Sequence, residues 1–79
     1  MKTFQVLGSG CRNCDTTAKR IAEQAQRCQV PVTVEKVTDM AAILGFGVLS
    51  TPGVVLDGKV VHAGGVPTAE QVTQWLTGG

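Results

Sequence analysis

Two cysteines, Cys11 and Cys14, stand three positions apart in the stretch GSGCRNC, which spans residues 8–14. Thiols at this spacing can bind a soft metal ion, form a structural disulfide or exchange disulfides in a redox reaction. The chain has one further cysteine, Cys28, and a single histidine, His62. The choice among these chemistries therefore depends on the elements that position the two thiols and on which other ligands can reach them.

The cysteine pair falls where a predicted strand is followed by a predicted helix. Residues 3–7 alternate between polar and apolar and end at glycines, which predicts a strand and a turn. From about Arg12, apolar residues recur at three- and four-residue steps, which predicts an amphipathic helix of about four turns. Its apolar stripe consists of Cys14, Ala18, Ile21, Ala22, Ala25 and Cys28. Cys11 is therefore expected at the first turn of a helix.

This position suggests different roles for the two thiols. Unpaired N–H groups and the macrodipole favour an anion at a helix start, so we expect Cys11, helped by Arg12, to be a nucleophilic thiolate. Residues three apart on a helix have Cβ atoms roughly 5 to 6 Å apart, so Cys14 can close a disulfide on Cys11 after a small adjustment. Cys14 begins the apolar stripe and is expected to be the shielded, resolving thiol. Arg12 and Asn13 are expected to tune the redox potential.

The cysteines also admit a metal interpretation. A zinc site needs about four ligands, but His62 is predicted on a strand and Cys28 lies too far along the helix to share a metal with Cys11. We therefore expect no zinc site and interpret Cys28 as a small core residue. A Cu(I) site is a stronger alternative, because soft thiolates select that ion and one CxxC loop supplies both ligands. A soft-metal carrier and a redox-sensing adaptor are thus the alternative functions.

The middle of the chain continues the alternation of strand and helix. Alternating valines predict a second strand over residues 30–34, with Pro31 near its start. Asp39 has the residue type of an N-cap, and it predicts a short helix over residues 40–44 that Gly45 closes.

A hairpin and a helix complete the predicted fold. Asp57-Gly58 separates two short apolar runs and favours a tight turn in which both residues have positive φ. Thr68 and Gln71 have the spacing of a capping box at the start of the last helix. The order β-α-β-α-β-β-α predicts one α/β domain over residues 1–79, with a mixed four-stranded sheet and helices on both faces.

Composition restricts the partners and the compartment. The net charge is +1, basic residues form no cluster and there are only three aromatic residues, so we expect no nucleic-acid partner. The chain starts without the pattern of a signal peptide, and its most apolar stretch, residues 40–49, is far shorter than the ~20 residues of a membrane helix. We therefore expect a cytoplasmic protein with no membrane partner, in which a CxxC pair is metal-binding or catalytic. The protein is also expected to be a monomer.

The turn around the cysteines resembles that of heavy-metal-associated domains and copper chaperones, which have a similar length. Those proteins have the order β-α-β-β-α-β and usually a Met two residues before the first Cys. This chain has Ser9 at that position and is predicted to end in a helix. Both differences argue against a metal-carrier function.

Over nearly all of its length the chain instead resembles the thioredoxin/glutaredoxin superfamily, and most closely its small glutaredoxin-like redox-active disulfide proteins. The matching stretches are GSGC at residues 8–11 with Cys14, Asp39, GVLSTP at residues 47–52, residues 54–61, and GGVP at residues 64–67. The resemblance implies a thioredoxin-like βαβαββα fold and a thiol–disulfide oxidoreductase of electron transport that needs no bound cofactor.

The resemblance also implies a substrate site and partners. The Thr51–Pro52 bond is expected to be cis and to face Cys11, with the backbone of residue 51 pairing with an extended substrate segment. The expected partners are a disulfide-containing protein or small molecule and an electron donor of the thioredoxin-reductase type. The chain departs from thioredoxins at Gly10 and between its cysteines, and from glutaredoxins at Val66-Pro67, where those proteins have an acidic pair. The resemblance therefore implies neither a thioredoxin-like redox potential nor specificity for glutathione.

Overall fold

The strands and helices follow the predicted order along the chain. The computed structural model describes residues 2–8 and 12–78. Its elements are β1 (Lys2–Leu7), α1 (Arg12–Cys28), β2 (Val32–Val37), α2 (Met40–Gly45), β3 (Gly53–Leu56), β4 (Lys59–Ala63) and α3 (Ala69–Thr77). Of the helices in these two ranges, none is long and apolar enough to cross a membrane.

The four strands form one mixed sheet in the order β2-β1-β3-β4. β1 runs parallel to β2 and antiparallel to β3, and β3 and β4 form the antiparallel hairpin. A parallel pair needs a long crossover connection, which α1 supplies between β1 and β2. The predicted mixed four-stranded sheet is confirmed, with β1 at its centre between β2 and β3.

The central strand contributes to a core on each face of the sheet, because successive strand residues point to opposite sides. Phe4 and Val6 belong to the main core, which they form with residues of α1 and α3. Leu7 belongs to a second core with Ile43 of α2. Helices therefore cover both faces, as predicted, with α1 and α3 on one face and α2 on the other.

The second strand lies further along the chain than its valines predict. Residues 30–34 were expected, whereas β2 spans Val32–Val37. Its length follows from its partner, because the six residues of β1 pair one by one with those of β2, from Lys2 with Val32 to Leu7 with Val37. The last part of the strand contains Glu35 and Lys36, which are exposed, so hydrophobicity does not mark it.

The buried face of α1 differs from the predicted stripe at two positions. Ala22 was expected on the stripe but is exposed, because it lies one residue, about 100° of helical rotation, beyond the buried Ile21. Thr17 is buried although it is polar. Its hydroxyl donates a hydrogen bond of 2.7 Å to the carbonyl of Asn13, four residues earlier, which satisfies the polar group inside the helix. Cys28 is half-buried against the main core.

The short helix begins as predicted and ends later. Asp39 is its N-cap, with Oδ1 accepting a hydrogen bond of 3.1 Å from the N–H of Ala41. Gly45 was expected to close the helix but is its last residue, and Phe46 caps it in a right-handed conformation. Gly47 has φ 78°, so the residue that needs a glycine for the turn is Gly47.

The hairpin turn between β3 and β4 has the predicted conformation. Asp57 has φ 49° and Gly58 has φ 87°. The turn is also fixed to the central strand, because Asp57 Oδ1 accepts a hydrogen bond of 2.9 Å from the N–H of Thr3. In return, the N–H of Asp57 donates to the carbonyl of Thr3 at 2.9 Å. The hairpin is thereby held in register with β1.

A capping box starts the last helix, as the sequence predicts. Thr68 Oγ1 accepts a hydrogen bond of 3.1 Å from the N–H of Gln71, whose Oε1 accepts one of 2.9 Å from the N–H of Thr68. We expect Thr68→Ala to lower the free energy of unfolding by about 1 kcal/mol, measured by urea denaturation. Thr77→Ala is the matched control, since that hydroxyl only donates to the carbonyl of Thr73. Equal losses for the two variants would contradict a capping role.

Candidate active site

The end of β1, the start of α1 and the segment before β3 lie together at one end of the sheet. Gly8 directly follows β1, and its N–H donates a hydrogen bond of 2.9 Å to the carbonyl of Val37 in β2. On the other side of β1, Leu7 pairs with Gly53, the first residue of β3. The chain that enters α1 therefore leaves the sheet next to the chain that enters β3.

Cys14 lies in the first turn of α1 and is buried, with only 3% of its surface exposed. It belongs to the main core, with Ala18 and Ile21 of the same helix. Its sulfur packs against Gly8, where the space for a Cβ atom is taken by Cys14 Sγ. The burial is what the helical pattern predicts for a shielded thiol, and its resolving role stays a prediction.

Thr51 lies beside Gly8 as well. A Cβ atom built on Gly8 would stand 3.6 Å from Thr51 Cβ and 3.5 Å from Cys14 Cβ. Gly8 thus lies between the start of the helix and the segment that precedes β3. Cys14 and Thr51, which the sequence analysis singled out, come together around Gly8, which was predicted only as part of the turn after the first strand.

The Thr51–Pro52 peptide bond is cis. Thr51 is exposed and Pro52 is buried. The carbonyl of Pro52 accepts a hydrogen bond of 2.9 Å from the N–H of Gly64. Gly64 and Gly65 have φ 83° and 73°, in the left-handed region that glycine adopts more readily than other residues. These glycines form the turn after β4, which the Gly64 bond connects to the Thr51–Pro52 segment.

Arg12 and Asn13 are the first two residues of α1, and both are exposed. Their carbonyls accept hydrogen bonds from the hydroxyls of Thr16 and Thr17, at 3.0 Å and 2.7 Å. Their expected effect on the redox potential stays a prediction. Cys11 lies outside the described residues, and so do its neighbours Ser9 and Gly10.

An ion pair that the sequence patterns do not indicate lies next to the site. Lys36 Nζ in β2 lies 2.6 Å from Oδ1 of Asp15, the residue that follows Cys14 in α1. The two residues are far apart along the chain, and only the register of β2 against β1, with Val6 opposite Lys36, brings them together. Both side chains are more than half exposed, so the pair contributes little to stability.

His62, the single histidine of the sequence, makes contacts that are structural. Within residues 2–8 and 12–78, no group of three or more His, Cys, Asp and Glu side chains could hold a metal ion. His62 Nε2 lies 2.9 Å from the carbonyl oxygen of Gly65, and its ring centroid lies 5.9 Å from that of Trp75. These contacts fix the turn after β4 to α3.

The mixed sheet with helices on both faces is a thioredoxin-like α/β fold, and sequence comparison supports the same class. The chain belongs to the thioredoxin family, because the family model described as a thioredoxin domain matches residues 2–77. It is similar to a thioredoxin of Methanothermobacter thermautotrophicus, with 30% identity over 77 residues that cover 98% of this chain and 100% of that protein. A thioredoxin of Methanocaldococcus jannaschii is 29% identical over 76 residues, covering 96% of this chain and 87% of that protein.

These matches confirm the resemblance to the thioredoxin/glutaredoxin superfamily. Membership of this family supports a thiol–disulfide redox function and oxidoreductase activity for the chain.

Proposed function

We propose that this protein exchanges disulfides with a protein or small-molecule substrate through Cys11 and Cys14. The Cys11 thiolate attacks one sulfur of the substrate disulfide, and the other substrate sulfur leaves as a thiolate. Cys14 then attacks Cys11 Sγ in the mixed disulfide, which releases the second substrate sulfur and leaves a Cys11–Cys14 disulfide. A donor of the thioredoxin-reductase type supplies the two electrons that restore the dithiol, and the chain itself needs no bound cofactor.

The observation that carries this proposal is the burial of Cys14 in the first turn of α1, against Gly8. Reactive cysteines are partly exposed, whereas buried ones are inert towards reagents in solution. A thiol at this position is shielded from a bulky substrate, and in the sequence it comes three positions after Cys11. This supports an order of events in which Cys11 reacts first and Cys14 resolves the mixed disulfide.

Thr51 and Pro52 are proposed to hold the substrate beside the cysteines. Thr51 is exposed next to Gly8, while Pro52 is buried and bonded through its carbonyl to Gly64. A fixed proline with an exposed residue before it presents a short length of backbone at the site. An extended substrate segment can pair with residue 51 as an added strand while its disulfide faces Cys11.

The proposed function is tested by insulin reduction with NADPH and a thioredoxin reductase. We expect turnover that depends on this protein, with NADPH consumed as insulin disulfides are reduced. The control is Cu(I) retention against a competing chelator, which probes the alternative of a soft-metal carrier. Stoichiometric retention of Cu(I) without insulin reduction would overturn the oxidoreductase proposal in favour of that alternative.

Arg12 is proposed to tune the potential by stabilising the Cys11 thiolate. Removing the guanidinium in Arg12→Gln destabilises the reduced form of the cysteine pair, which contains the thiolate. We therefore expect the redox potential of the Cys11–Cys14 couple to become more negative, that is, more reducing. An exposed charge contributes about 0.2 to 1 kcal/mol, which corresponds to a shift of roughly 5 to 20 mV. Arg27→Gln is the matched control, since Arg27 is exposed in the last turn of the same helix. Equal potentials for both variants, measured against glutathione buffers, would contradict this role.

A further inference from the structure

Gly8 is buried at the end of β1, and its backbone does not require glycine. Positive φ angles among the described glycines occur at Gly47, Gly58, Gly64 and Gly65, and Gly8 is not one of them. Its N–H donates to the carbonyl of Val37, a bond that any residue except proline can make. The constraint on residue 8 is therefore the space beside it.

That space is filled by the sulfur of Cys14. A Cβ atom on residue 8 would overlap Cys14 Sγ, whereas Cys14 Cβ at 3.5 Å and Thr51 Cβ at 3.6 Å would be ordinary van der Waals neighbours. Cys14 Sγ, which would form the disulfide, is thus the one atom that a methyl group at residue 8 would overlap. Because Sγ moves by rotation about a single bond between staggered positions, a methyl group at residue 8 would turn the thiol away from β1.

We propose that Gly8 is a positioning residue for Cys14, which lets the thiol pack back against β1 in the rotamer from which it resolves the mixed disulfide. This inference rests on the proposed function and names a residue outside the cysteine pair that controls its second step. In that step Cys14 gives up its proton to solvent, and its thiolate attacks Cys11 Sγ. The bond between Cys11 and the substrate sulfur breaks, the substrate leaves as a thiolate, and the Cys11–Cys14 bond forms.

The effect on the second step is measured in chains that carry Cys28→Ser, so that Cys11 and Cys14 are the two thiols that can react. The probe is Ellman's reagent, an aromatic disulfide that releases one coloured thiolate per attack. We expect the first release, from Cys11, to keep its rate in Gly8→Ala, while the second release slows about ten- to hundredfold because Cys14 is misplaced. Gly45→Ala is the control, since nothing lies within 4 Å of a Cβ atom there. An unchanged second release in Gly8→Ala would overturn the inference. No first release from the unsubstituted chain would instead overturn the proposed function.

A second measurement does not depend on the redox reaction. Gly8→Ala is combined with Cys14→Ala, and urea unfolding is compared for the four chains of the cycle. We expect Gly8→Ala to lower the unfolding midpoint in the unsubstituted chain and to lose most of that effect when the sulfur is absent. Gly53→Ala is the matched control, since its Cβ would stand 3.0 Å from Val48 Cγ1 and its three nearest neighbours are atoms of Val48 and Leu7, not the Cys14 sulfur. Equal losses from Gly8→Ala with and without the Cys14 sulfur would contradict the assigned contact.

Discussion

Cys11→Ser is expected to lower the rate of insulin reduction by about a thousandfold or more, because it removes the attacking sulfur. Cys14→Ser is expected to lose turnover for a different reason. Its Cys11 still attacks the substrate, but no second thiol resolves the product, so a mixed disulfide accumulates on Cys11. Both outcomes are measured by coupled NADPH oxidation and by mass spectrometry of the trapped species.

Cys28→Ser is the matched control for both substitutions. Cys28 is the last residue of α1 and lies half-buried against the main core, at the other end of the helix from the candidate site. We expect its turnover to equal that of the unsubstituted chain. Capture of substrate on Cys14 in Cys11→Ser, with none on Cys11 in Cys14→Ser, would reverse the two roles.

Phe4→Ala is expected to lower the free energy of unfolding by about 3 to 5 kcal/mol. Phe4 is fully buried in the main core, where its ring centroid lies 6.4 Å from that of Trp75. Truncation removes this ring contact and leaves a cavity between the sheet and the helices α1 and α3. Because small domains are stable by only about 5 to 15 kcal/mol, the loss is a large part of the total.

The measurement for Phe4→Ala is urea denaturation followed by the fluorescence of Trp75, which packs against the same core. Val61→Ala is the control, since Val61 is exposed on β4, and we expect it to change stability by no more than about 0.5 kcal/mol. A loss below about 1 kcal/mol for Phe4→Ala would show that the core does not depend on this ring.

The features that the sequence predicted well are those determined by neighbouring residues. The Asp57-Gly58 turn and the Thr68 capping box each depend on residues a few positions apart, and both are present in the structure. Helix α1 was predicted from a periodicity sustained over several turns, which averages out single exceptions. Ala22 and Thr17 are such exceptions, because the packing around a helix decides burial at the margins of a stripe.

The features that sequence patterns missed depend on contacts across the fold. The length of β2 follows from its pairing with β1, and the ion pair of Asp15 and Lys36 follows from the same register. The space beside Gly8 is visible only once Cys14 and Thr51 are placed around it. No local pattern in GSGCRNC distinguishes a glycine needed for a turn from one needed for a neighbouring sulfur.

The candidate site was therefore predicted in part. The helix phase predicted that Cys14 is shielded, and Cys14 is buried. Thr51 and Pro52 were singled out by family resemblance, since nothing in their own sequence indicates that they lie near residues some forty positions earlier. The roles of Cys11, Cys14, Arg12 and Asn13 stay predictions, because they depend on the reactivity of the thiols and not on the path of the chain.

The central claim is that Cys11 and Cys14 form one redox pair, and an equilibrium redox titration of the full chain tests it most directly. The chain is equilibrated with dithiothreitol buffers, remaining thiols are alkylated, and each cysteine is assigned by peptide mass spectrometry. We expect Cys11 and Cys14 to become oxidised together as a two-electron couple, with about 30 mV for each tenfold change in the buffer ratio. Cys28 stays alkylated throughout. The absence of a Cys11–Cys14 disulfide under the most oxidising buffer, or pairing of either cysteine with Cys28, would contradict the claim.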